Sequence, residues 1–352
     1  MSGVLPDKRH KAMDGYIAGA GGANFDIHIR TEKAPVLRDS NPGHLRTSAG
    51  GVCRNILENL ARQGDDCLLL SAVGQDHFGD AVVSACSEAG IDVSHVLRSS
   101  KTPTSAYIDI LDDGGDMYLA ANDMRLVTEI PAEYFQQNAE VISGAAAVVA
   151  DANLSQDQLT AVFTAAEGVT GSETGNAGSV VSGQVPVFAD PVSAAKCHVL
   201  KPFLSKLTLI KPNRLELEAL SGMPCGTDEE TAAAAGELVR QGVKHVVVSL
   251  GERGCMYVGA SESAQDTSND PKTTIMIRSI DCSLPVVNAS GAGDAFMSGL
   301  MHSFLNGADT ETMLHYALAC GRIATLSEDT INYCLTEEYV FRFMDKYPII
   351  RL

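Results

Sequence analysis

Short apolar runs alternate along this chain with segments whose apolar residues recur every three or four positions. Runs that are apolar throughout are typical of strands buried on both faces of a parallel sheet, and the longer spacing is typical of helices. Strand, helix and strand therefore follow one another, which predicts an α/β fold with a mostly parallel central sheet. The predicted strands are 16–22, 66–73, 147–150, 185–189, 207–210 and 246–249, and the clearest helices are 52–62 and 80–88.

Two segments break this alternation. Short strand candidates at 107–111 and 117–121 flank Asp112-Asp113-Gly114-Gly115, which predicts an antiparallel hairpin. The stretch 25–48 has no helical periodicity and contains two prolines. Together they predict a small second sheet, with segments near 25–48 and 104–122, set against one main domain at 15–352. We expect a flexible tail at 1–14 and surface loops at 168–183 and 260–272.

Composition and charge exclude several classes of function. Lys and Arg number 26 and Asp and Glu number 44, so the net charge is −18 and a nucleic acid polymer is not expected as a partner. A small anion held by backbone N–H groups remains allowed. No stretch is long and apolar enough to span a membrane, and no signal peptide is visible, so we expect no membrane association and a cytoplasmic location. Nine scattered cysteines without a C-x-x-C pair fit a reducing compartment and buried thiols.

The strongest local signal is the segment 288–294, Asn-Ala-Ser-Gly-Ala-Gly-Asp, which leads into a predicted helix. Gly291, Ala292 and Gly293 let backbone N–H groups converge at the first helical turn, where the helix dipole favours an anion. A carboxylate at Asp294 can accept a proton from an attacking hydroxyl. A hole for developing charge and a positioned base are the parts that phosphoryl transfer needs. The alternative is a plain strand-to-helix turn with an Asp cap.

Two further motifs each follow a predicted strand. Asn213 and Glu216 lie three residues apart, so on a helical turn they share one face and can order water around Mg²⁺. A helix capping box is the alternative. Ser249, Gly251 and Gly254 form a glycine-containing turn that lets the backbone approach a nucleotide, although such a turn alone is a weak signal.

A fourth set lies near the N-terminus. Asn24 and Asp26 follow the first strand, and Gly50, Gly51 and Asn55 open the first helix. Such side chains can bracket sugar hydroxyls, and the paired glycines permit close approach of the backbone. Turn glycines with capping side chains are the alternative. The sequence lacks the dinucleotide, P-loop and protein-kinase motifs, which excludes a P-loop kinase and disfavours an oxidoreductase or a protein kinase.

Taken together and in this order, the motifs resemble the ribokinase-like (PfkB) carbohydrate kinase family over about 16–330. Within that family the chain is most similar to the pseudouridine kinase subfamily. Asn288 stands where the family usually has Asp, and pseudouridine kinases can carry Asn there. The segments that carry this closer resemblance are 48–55, 70–74, 121–124, 150–153 and 188–193 with Lys196.

The resemblance implies a three-layer α/β/α sandwich with a small β-sheet lid. It also implies ATP, Mg²⁺ and transfer of the γ-phosphoryl group to the 5′-hydroxyl of a nucleoside, pseudouridine. Many relatives also hold a monovalent cation such as K⁺ beside the 288–294 loop. A homodimer formed through the lid is a further expectation. The alternatives are another sugar or nucleoside kinase of the family, such as a ribokinase or adenosine kinase, and a non-catalytic sugar-binding regulator.

The resemblance also assigns roles to single residues. Asp294 is the base, and the N–H groups of Gly291, Ala292 and Gly293 form the anion hole. The nucleotide site comprises Asn213, Ser249, Gly251, Gly254, Asn288 and Ala319, with Glu216 and Asn213 on the Mg²⁺ side. The sugar site comprises Asn24, Asp26, Gly50, Gly51 and Asn55. Candidates to read the base are Ser105, Tyr107, Asn122, Asp151 and Asn153.

Overall fold

A ten-stranded sheet lies at the centre of the structure, a computed structural model that describes residues 15–168, 184–260, 273–278, 280 and 283–351. In chain order the strands are β1 (Ile17–Ala20), β2 (Asn24–Thr31), β3 (Gly43–Gly50), β4 (Cys67–Leu70), β5 (Ala72–Gly74), β6 (Ile91–Asp92), β7 (Leu97–Ser99), β8 (Ala106–Leu111), β9 (Met117–Asp123), β10 (Ala147–Asp151), β11 (Val187–Asp190), β12 (Leu209–Ile210), β13 (His245–Ser249), β14 (Cys255–Gly259), β15 (Thr273–Arg278) and β16 (Ile350–Arg351).

Helices connect and cover these strands. They are α1 (Val52–Gln63), α2 (His77–Glu88), α3 (Arg125–Glu129), α4 (Ala132–Gln137), α5 (Ala139–Ser143), α6 (Gln156–Ala166), α7 (Arg214–Ser221), α8 (Asp228–Arg240), α9 (Ala292–Leu305), α10 (Thr310–Ala324) and α11 (Glu337–Lys346), with 3₁₀ turns at Cys197–Lys206 and Gly251–Arg253. None of the helices within the described ranges has the length and apolar character needed to cross a bilayer.

The central sheet has the strand order β16-β15-β14-β13-β12-β11-β10-β1-β4-β6. Pairing is parallel from β13 to β6 and antiparallel from β13 to β16. Successive side chains of the parallel strands enter opposite apolar layers, because strand side chains alternate between the two faces. In β10, Val148 and Ala150 pack on one side, and Ala147 and Val149 on the other. Helices cover both faces, and the predicted three-layer sandwich is confirmed.

The predicted small sheet is also present. It has the order β3-β2-β8-β9, with β2 antiparallel to β3, parallel to β8, and β8 antiparallel to β9. We call this four-stranded sheet the lid. Its polar face carries Asp26, His28 and Arg46, while the base of its other face packs on α2, where Phe25 stacks on Phe78 with ring centroids 4.6 Å apart.

Two sequence predictions need correction. The run at 66–73 is not one strand: β4 belongs to the central sheet, whereas β5 pairs with β7 in a separate two-stranded sheet. Ser71 separates them, and its hydroxyl donates to the Gly21 carbonyl at 2.7 Å. The helix predicted at 80–88 begins earlier, at His77, because the Asp76 carboxylate accepts from the Gly79 N–H and caps it.

Some predictions fall on residues that are not described. The tail at 1–14, with its basic cluster Lys8, Arg9 and Lys11, lies outside the described residues, as do positions 169–183 and 261–272 of the two predicted loops. Each cysteine in the described ranges is a free thiol, and all of these except Cys334 are buried, as predicted.

A buried ionic cluster ties the last helices to the sheet. His302 in α9 lies 2.8 Å from the Asp65 carboxylate and 3.6 Å from that of Glu337. Burial alone lowers the pKa of His302, but the two carboxylates outweigh it and raise the pKa to about 9. The side chain is therefore a buried imidazolium at neutral pH, held by charges from two other parts of the chain.

Candidate active site

Asp294 lies in the first turn of α9, where the carboxyl ends of the parallel strands meet this helix. It is half-buried, and its Oδ2 accepts a hydrogen bond from Asn55 Nδ2 at 2.9 Å. Burial raises the pKa of Asp294 to about 7; Asp190 raises it too, whereas Asn55 and Lys211 lower it. A carboxylate poised near neutral pH is suited to accepting a proton.

The turn before Asp294 has the geometry of an anion hole. Gly291 caps α9 in the left-handed region, with φ of 77°, and a Cβ atom there would lie 2.1 Å from the Thr330 carbonyl oxygen. Within the described residues, the N–H groups of Gly291 and Gly293 donate to no protein acceptor. The Ala292 N–H was also predicted to belong to the anion hole, but it donates to the Ala289 carbonyl at 3.3 Å and so is already paired.

Lys211 and Asp190 also belong to this site, although the sequence analysis assigned neither a role. Asp190 ends β11 and Lys211 follows β12, and their side chains form an ion pair at 3.1 Å with no more than 8% of either exposed. Burial alone lowers the pKa of Lys211, but the charges of Asp190, Glu216 and Asp294 raise it overall. Lys211 Nζ lies 3.4 Å from where a Cβ on Gly293 would stand, so a fixed cation adjoins the anion hole.

Asn213 and Glu216 form a capping box at the start of α7. Asn213 Oδ1 accepts from the Glu216 N–H at 2.9 Å, and Glu216 Oε2 accepts from the Asn213 N–H at 2.8 Å. Burial raises the pKa of Glu216. The described ranges contain no cluster of three ligating side chains that would hold a metal alone. Glu216 keeps its second oxygen, which fits Mg²⁺ bound mainly by phosphates and water.

A cavity of about 490 Å³ opens between the turn at 249–254 and helices α9 and α10. It reaches Gly293 in the anion hole, and its walls are largely apolar, which suits a purine ring. Ser249, Gly251 and Gly254 lie in its wall, as expected for a nucleotide site. The other lining residues are Glu252, Ile280, Leu284, Val286, Ala289, Ala292, Phe296, Leu318, Gly321, Arg322 and Thr325.

Two predicted nucleotide residues lie elsewhere. Ala319 is fully buried and faces the core, because successive helical residues point about 100° apart and Leu318 and Arg322 take the cavity side. Its prediction as a nucleotide contact is wrong. Asn288 braces the loop: its Oδ1 accepts from the Ser290 N–H at 2.9 Å, and its Nδ2 donates to the Glu328 carbonyl at 3.0 Å.

The predicted sugar-binding residues come together where β2, β3 and α1 meet. Asn24 contacts the Asp26 carboxylate, and burial raises the pKa of Asp26 to about 6. Gly51 has φ of 104°, and a Cβ there would lie 2.4 Å from the Gly22 carbonyl oxygen, so glycine is required. Since Asn55 follows on α1 and bonds Asp294, the structure brings the predicted sugar residues to the candidate base.

Asp151 is not available to read a base. It is fully buried, and its carboxylate accepts from the N–H groups of Gly22 and Cys53, each at 3.0 Å, and of Asn153 at 2.9 Å. These bonds join the ends of β1 and β10 to the start of α1. Burial raises the pKa of Asp151 despite them. Asp151 is therefore a positioning residue, and its predicted ligand contact is wrong.

Asn153, by contrast, is half-buried beside the sugar residues. Its Oδ1 accepts from Lys196 Nζ at 2.6 Å, and its Nδ2 lies 3.0 Å from where a Cβ on Gly22 would stand. A lysine ammonium can only donate hydrogen bonds, so the Asn153 atom that faces Lys196 must be the amide oxygen Oδ1 and the other must be Nδ2. Asn153 therefore offers N–H groups to a ligand rather than an oxygen.

The lid supplies the remaining candidates. Ser105 is buried, and its hydroxyl has no hydrogen-bond partner within the described structure. Tyr107 pairs with Asp26 in the lid register, and burial, with the charges of Asp109 and Asp26, raises its pKa. Asn122 is exposed opposite Tyr107 on β9.

Comparisons with known proteins agree with this geometry. The family model described as pfkB family carbohydrate kinase matches residues 16–338. The pseudouridine kinase of Escherichia coli (strain K12) is 34% identical over 317 residues, which cover 90% of this chain and 92% of that protein. A structure of Arabidopsis thaliana ribokinase complexed with ribose and ATP has a TM-score of 0.78 at 21% identity, covering 94% of this chain and 99% of that one. An E. coli structure described as ribokinase II with ATP and Mg²⁺ has a TM-score of 0.74 at 18% identity, covering 94% and 99%.

Proposed function

Since the chain belongs to the pfkB family of carbohydrate kinases, we propose that it transfers the γ-phosphoryl group of ATP to the 5′-hydroxyl of pseudouridine. The observation that carries the reaction class is Asp294, half-buried beside an anion hole and held by a residue of the sugar site. Its pKa of about 7 leaves much of the carboxylate ionised at neutral pH, ready to accept the hydroxyl proton.

The other groups act on charge and position. The N–H groups of Gly291 and Gly293, with the Lys211 ammonium beside Gly293, are proposed to stabilise the negative charge that develops on the transferred group. The cavity beside them is proposed to hold the adenine and ribose of ATP. Mg²⁺, carried by the phosphates and reached by Glu216, would neutralise phosphate charge when bound.

Two observations favour pseudouridine over other substrates. The first is the 34% identity to a pseudouridine kinase over nearly the whole chain. The second is the Lys196–Asn153 pair, whose hydrogen-bond donors we propose contact the base attached to the sugar. Uracil-type rings carry two carbonyl oxygens that can accept from such donors. A bare sugar such as ribose would leave these half-buried donors without that partner, which disfavours it.

A substrate panel tests the proposal. Pseudouridine, uridine, cytidine, adenosine and ribose are compared at fixed ATP and Mg²⁺, and we expect pseudouridine to give the highest kcat/KM. Strong turnover of ribose with none of pseudouridine would make the protein another kinase of the family. No substrate-dependent release of ADP with any of them would favour a non-catalytic regulator.

The variant Asp294→Asn tests the base. It keeps the size of the side chain and removes its basicity, so kcat should fall about 10²-fold or more while pseudouridine binding changes little. Asp309→Asn, an exposed helix cap at the start of α10, is the matched control and should keep wild-type turnover. Near-normal kcat in Asp294→Asn would refute the assignment.

We also propose a homodimer formed through the lid. The lid face opposite Asp26 carries exposed apolar side chains: Leu45 is 63%, Ile108 41% and Leu119 57% exposed. An apolar sheet face of this kind favours burial against a partner. Sedimentation of the wild type and of Leu119→Glu should give a dimer and a monomer; a wild-type monomer at micromolar concentration would refute it.

A further inference from the structure

The polar face of the lid holds a second pair of titratable side chains. His28 Nδ1 lies 2.8 Å from Asp109 Oδ2, across the parallel pairing of β2 with β8. Asp109 has 8% of its side chain exposed and His28 has 29%. The Asp109 carboxylate is therefore buried in the lid, whereas the His28 imidazole is partly exposed to solvent.

This pair stands on the substrate side of the lid. His28 lies two residues beyond Asp26 on the same strand face, which places it about 7 Å farther from the sugar residues. Opposite it on β3 is Arg46, whose guanidinium bonds Glu328 at 2.6 Å, next to the loop that leads to Asp294. The face that carries His28 is therefore the face turned towards the catalytic loop.

Asp109 fixes the chemical character of the imidazole. A carboxylate only accepts, so in the neutral ring the proton lies on Nδ1 and Nε2 is left as an acceptor. No hydrogen-bond partner of His28 Nε2 exists among the residues that the structure describes. The pair also leaves Asp109 Oδ1 buried without a partner, which is unfavourable for the fold of a four-stranded lid and points to a role beyond folding.

We propose that His28, oriented by Asp109, reads the base of the substrate by accepting a hydrogen bond from a ring N–H through Nε2. This inference rests on the proposed function and adds the other half of base recognition. Lys196 and Asn153 offer donors from the central sheet, and His28 offers an acceptor from the lid. A ring that carries both C=O and N–H groups satisfies both sides, and pseudouridine has two ring N–H groups.

The test compares variants of His28 with pseudouridine as substrate. His28→Phe keeps a planar ring and removes the acceptor, so kcat/KM should fall about 10- to 100-fold, mostly through KM. His28→Gln keeps an acceptor oxygen and should recover part of that loss. The matched control is His44→Phe, an exposed histidine of the same lid, which should leave both constants unchanged.

Asp109 is tested as a positioning residue. Asp109→Leu should raise KM as His28→Phe does, because the imidazole loses its anchor, whereas Asp109→Asn still accepts from Nδ1 and should retain most activity. Melting temperatures and KM for ATP should match the wild type. A KM for pseudouridine that is unchanged in both His28→Phe and Asp109→Leu overturns the inference.

Uridine as a second substrate shows which ring N–H donates to His28. It also separates a failure of the His28 inference from a failure of the proposed substrate. It keeps N3–H but has C–H where pseudouridine has N1–H. If His28→Phe lowers the pseudouridine-to-uridine ratio, N1–H is read; if both substrates weaken equally, N3–H is read, and either result supports the role of His28. If the wild type accepts no nucleoside, the proposed substrate fails, whatever His28 does.

Discussion

The acid limb of the pH–rate profile gives a sharp test of the charge arrangement around Asp294. If this carboxylate accepts the hydroxyl proton, kcat/KM follows its ionised fraction in the free enzyme. With a pKa of about 7, roughly one tenth is ionised at pH 6, so kcat/KM there should be about one tenth of its alkaline plateau. An aspartate with the ordinary pKa of 3.8 would already be on the plateau at pH 6.

Two substitutions should move this limb in opposite directions. Lys211→Met removes a positive charge that lowers the pKa of Asp294, so the limb should move to higher pH. Asp190→Asn removes a negative charge that raises it, so the limb should move to lower pH. At an effective dielectric constant near 20, unit charges in contact interact by about 4 kcal/mol, or about three pKa units, and more distant charges interact less. Because the pair is in mutual contact at 3.1 Å and rearranges when broken, we expect about one unit each way.

The assay is kcat/KM for pseudouridine between pH 5.5 and 9 at saturating ATP and Mg²⁺. ATP itself titrates in this range, but it does so equally in every variant, so the differences between variants report the protein. Glu218→Gln is the matched control: it removes an exposed carboxylate near Glu216 and should leave the limb in place. Limbs that coincide for Lys211→Met and Asp190→Asn, or that move the same way, would refute the reasoning.

Other expected outcomes follow from single contacts. The pKa of His302 is about 9 in the fold against 6.5 ordinarily, so its contribution of about 3 kcal/mol is complete below pH 6.5 and is lost as pH rises through 9. Urea unfolding at pH 6 and 9.5 should show that pH dependence in the wild type and much less in His302→Gln. Gly291→Ala should lower kcat about tenfold or more, since its Cβ would meet the Thr330 carbonyl; unchanged kcat would contradict this. The Asn288 amide is uncharged and occupies the Glu328 carbonyl, so exchanging K⁺ for Na⁺ should alter the rate less than about twofold. Removing Mg²⁺ with EDTA should abolish ATP binding in calorimetry as well as turnover.

Much of the fold is predictable because each parallel strand is a short, wholly apolar run. Such runs, alternating with helical segments, are typical of a sheet that helices cover on both faces, so the alternation along the chain favours three layers. The run at 66–73 shows the limit of this inference. Hydropathy does not distinguish one long strand from two short strands in different sheets. The break lies at Ser71, whose hydroxyl bonds Gly21, 50 residues away.

The site residues, like the strands, are predictable where their contacts are local in sequence and not where they depend on distant parts of the chain. The capping of α7 by Asn213 and Glu216 is a local pattern with fixed spacing, and it forms as one of its two interpretations predicted. Sequence spacing places Asp151 at the end of a strand but does not show which way its side chain points. Its carboxylate accepts from N–H groups 98 and 129 residues earlier and not from a ligand. His28 and Asp109 are 81 residues apart and meet only through the register of β2 with β8. No local sequence motif therefore predicts their contact.

Asp190 and Lys211 could have been found from topology. They follow the neighbouring parallel strands β11 and β12, at the sheet edge where α/β proteins bind ligands. Opposite charges at adjacent strand ends are expected to meet, because side chains there converge on one cleft. Asp190 lies in the segment 188–193, which serves above as a mark of resemblance, and Lys211 directly follows the predicted strand 207–210, so the two charges were not paired as parts of one site.

The negative charge of the chain can be reconciled with a polyphosphate ligand only through the details of this cleft. Asp190, Glu216 and Asp294 surround one lysine, so when all are ionised the cluster carries a net charge of −2. Glycine N–H groups and a helix terminus offset part of the repulsion, but they carry only fractional charges. A triphosphate without a divalent cation would meet uncompensated carboxylates in a cleft of low dielectric constant, where repulsion is strong. On the proposed function, we therefore expect the cleft to bind ATP in its metal-bound form, with Lys211 positioning the phosphoryl group and Asp294 preparing the hydroxyl that attacks it.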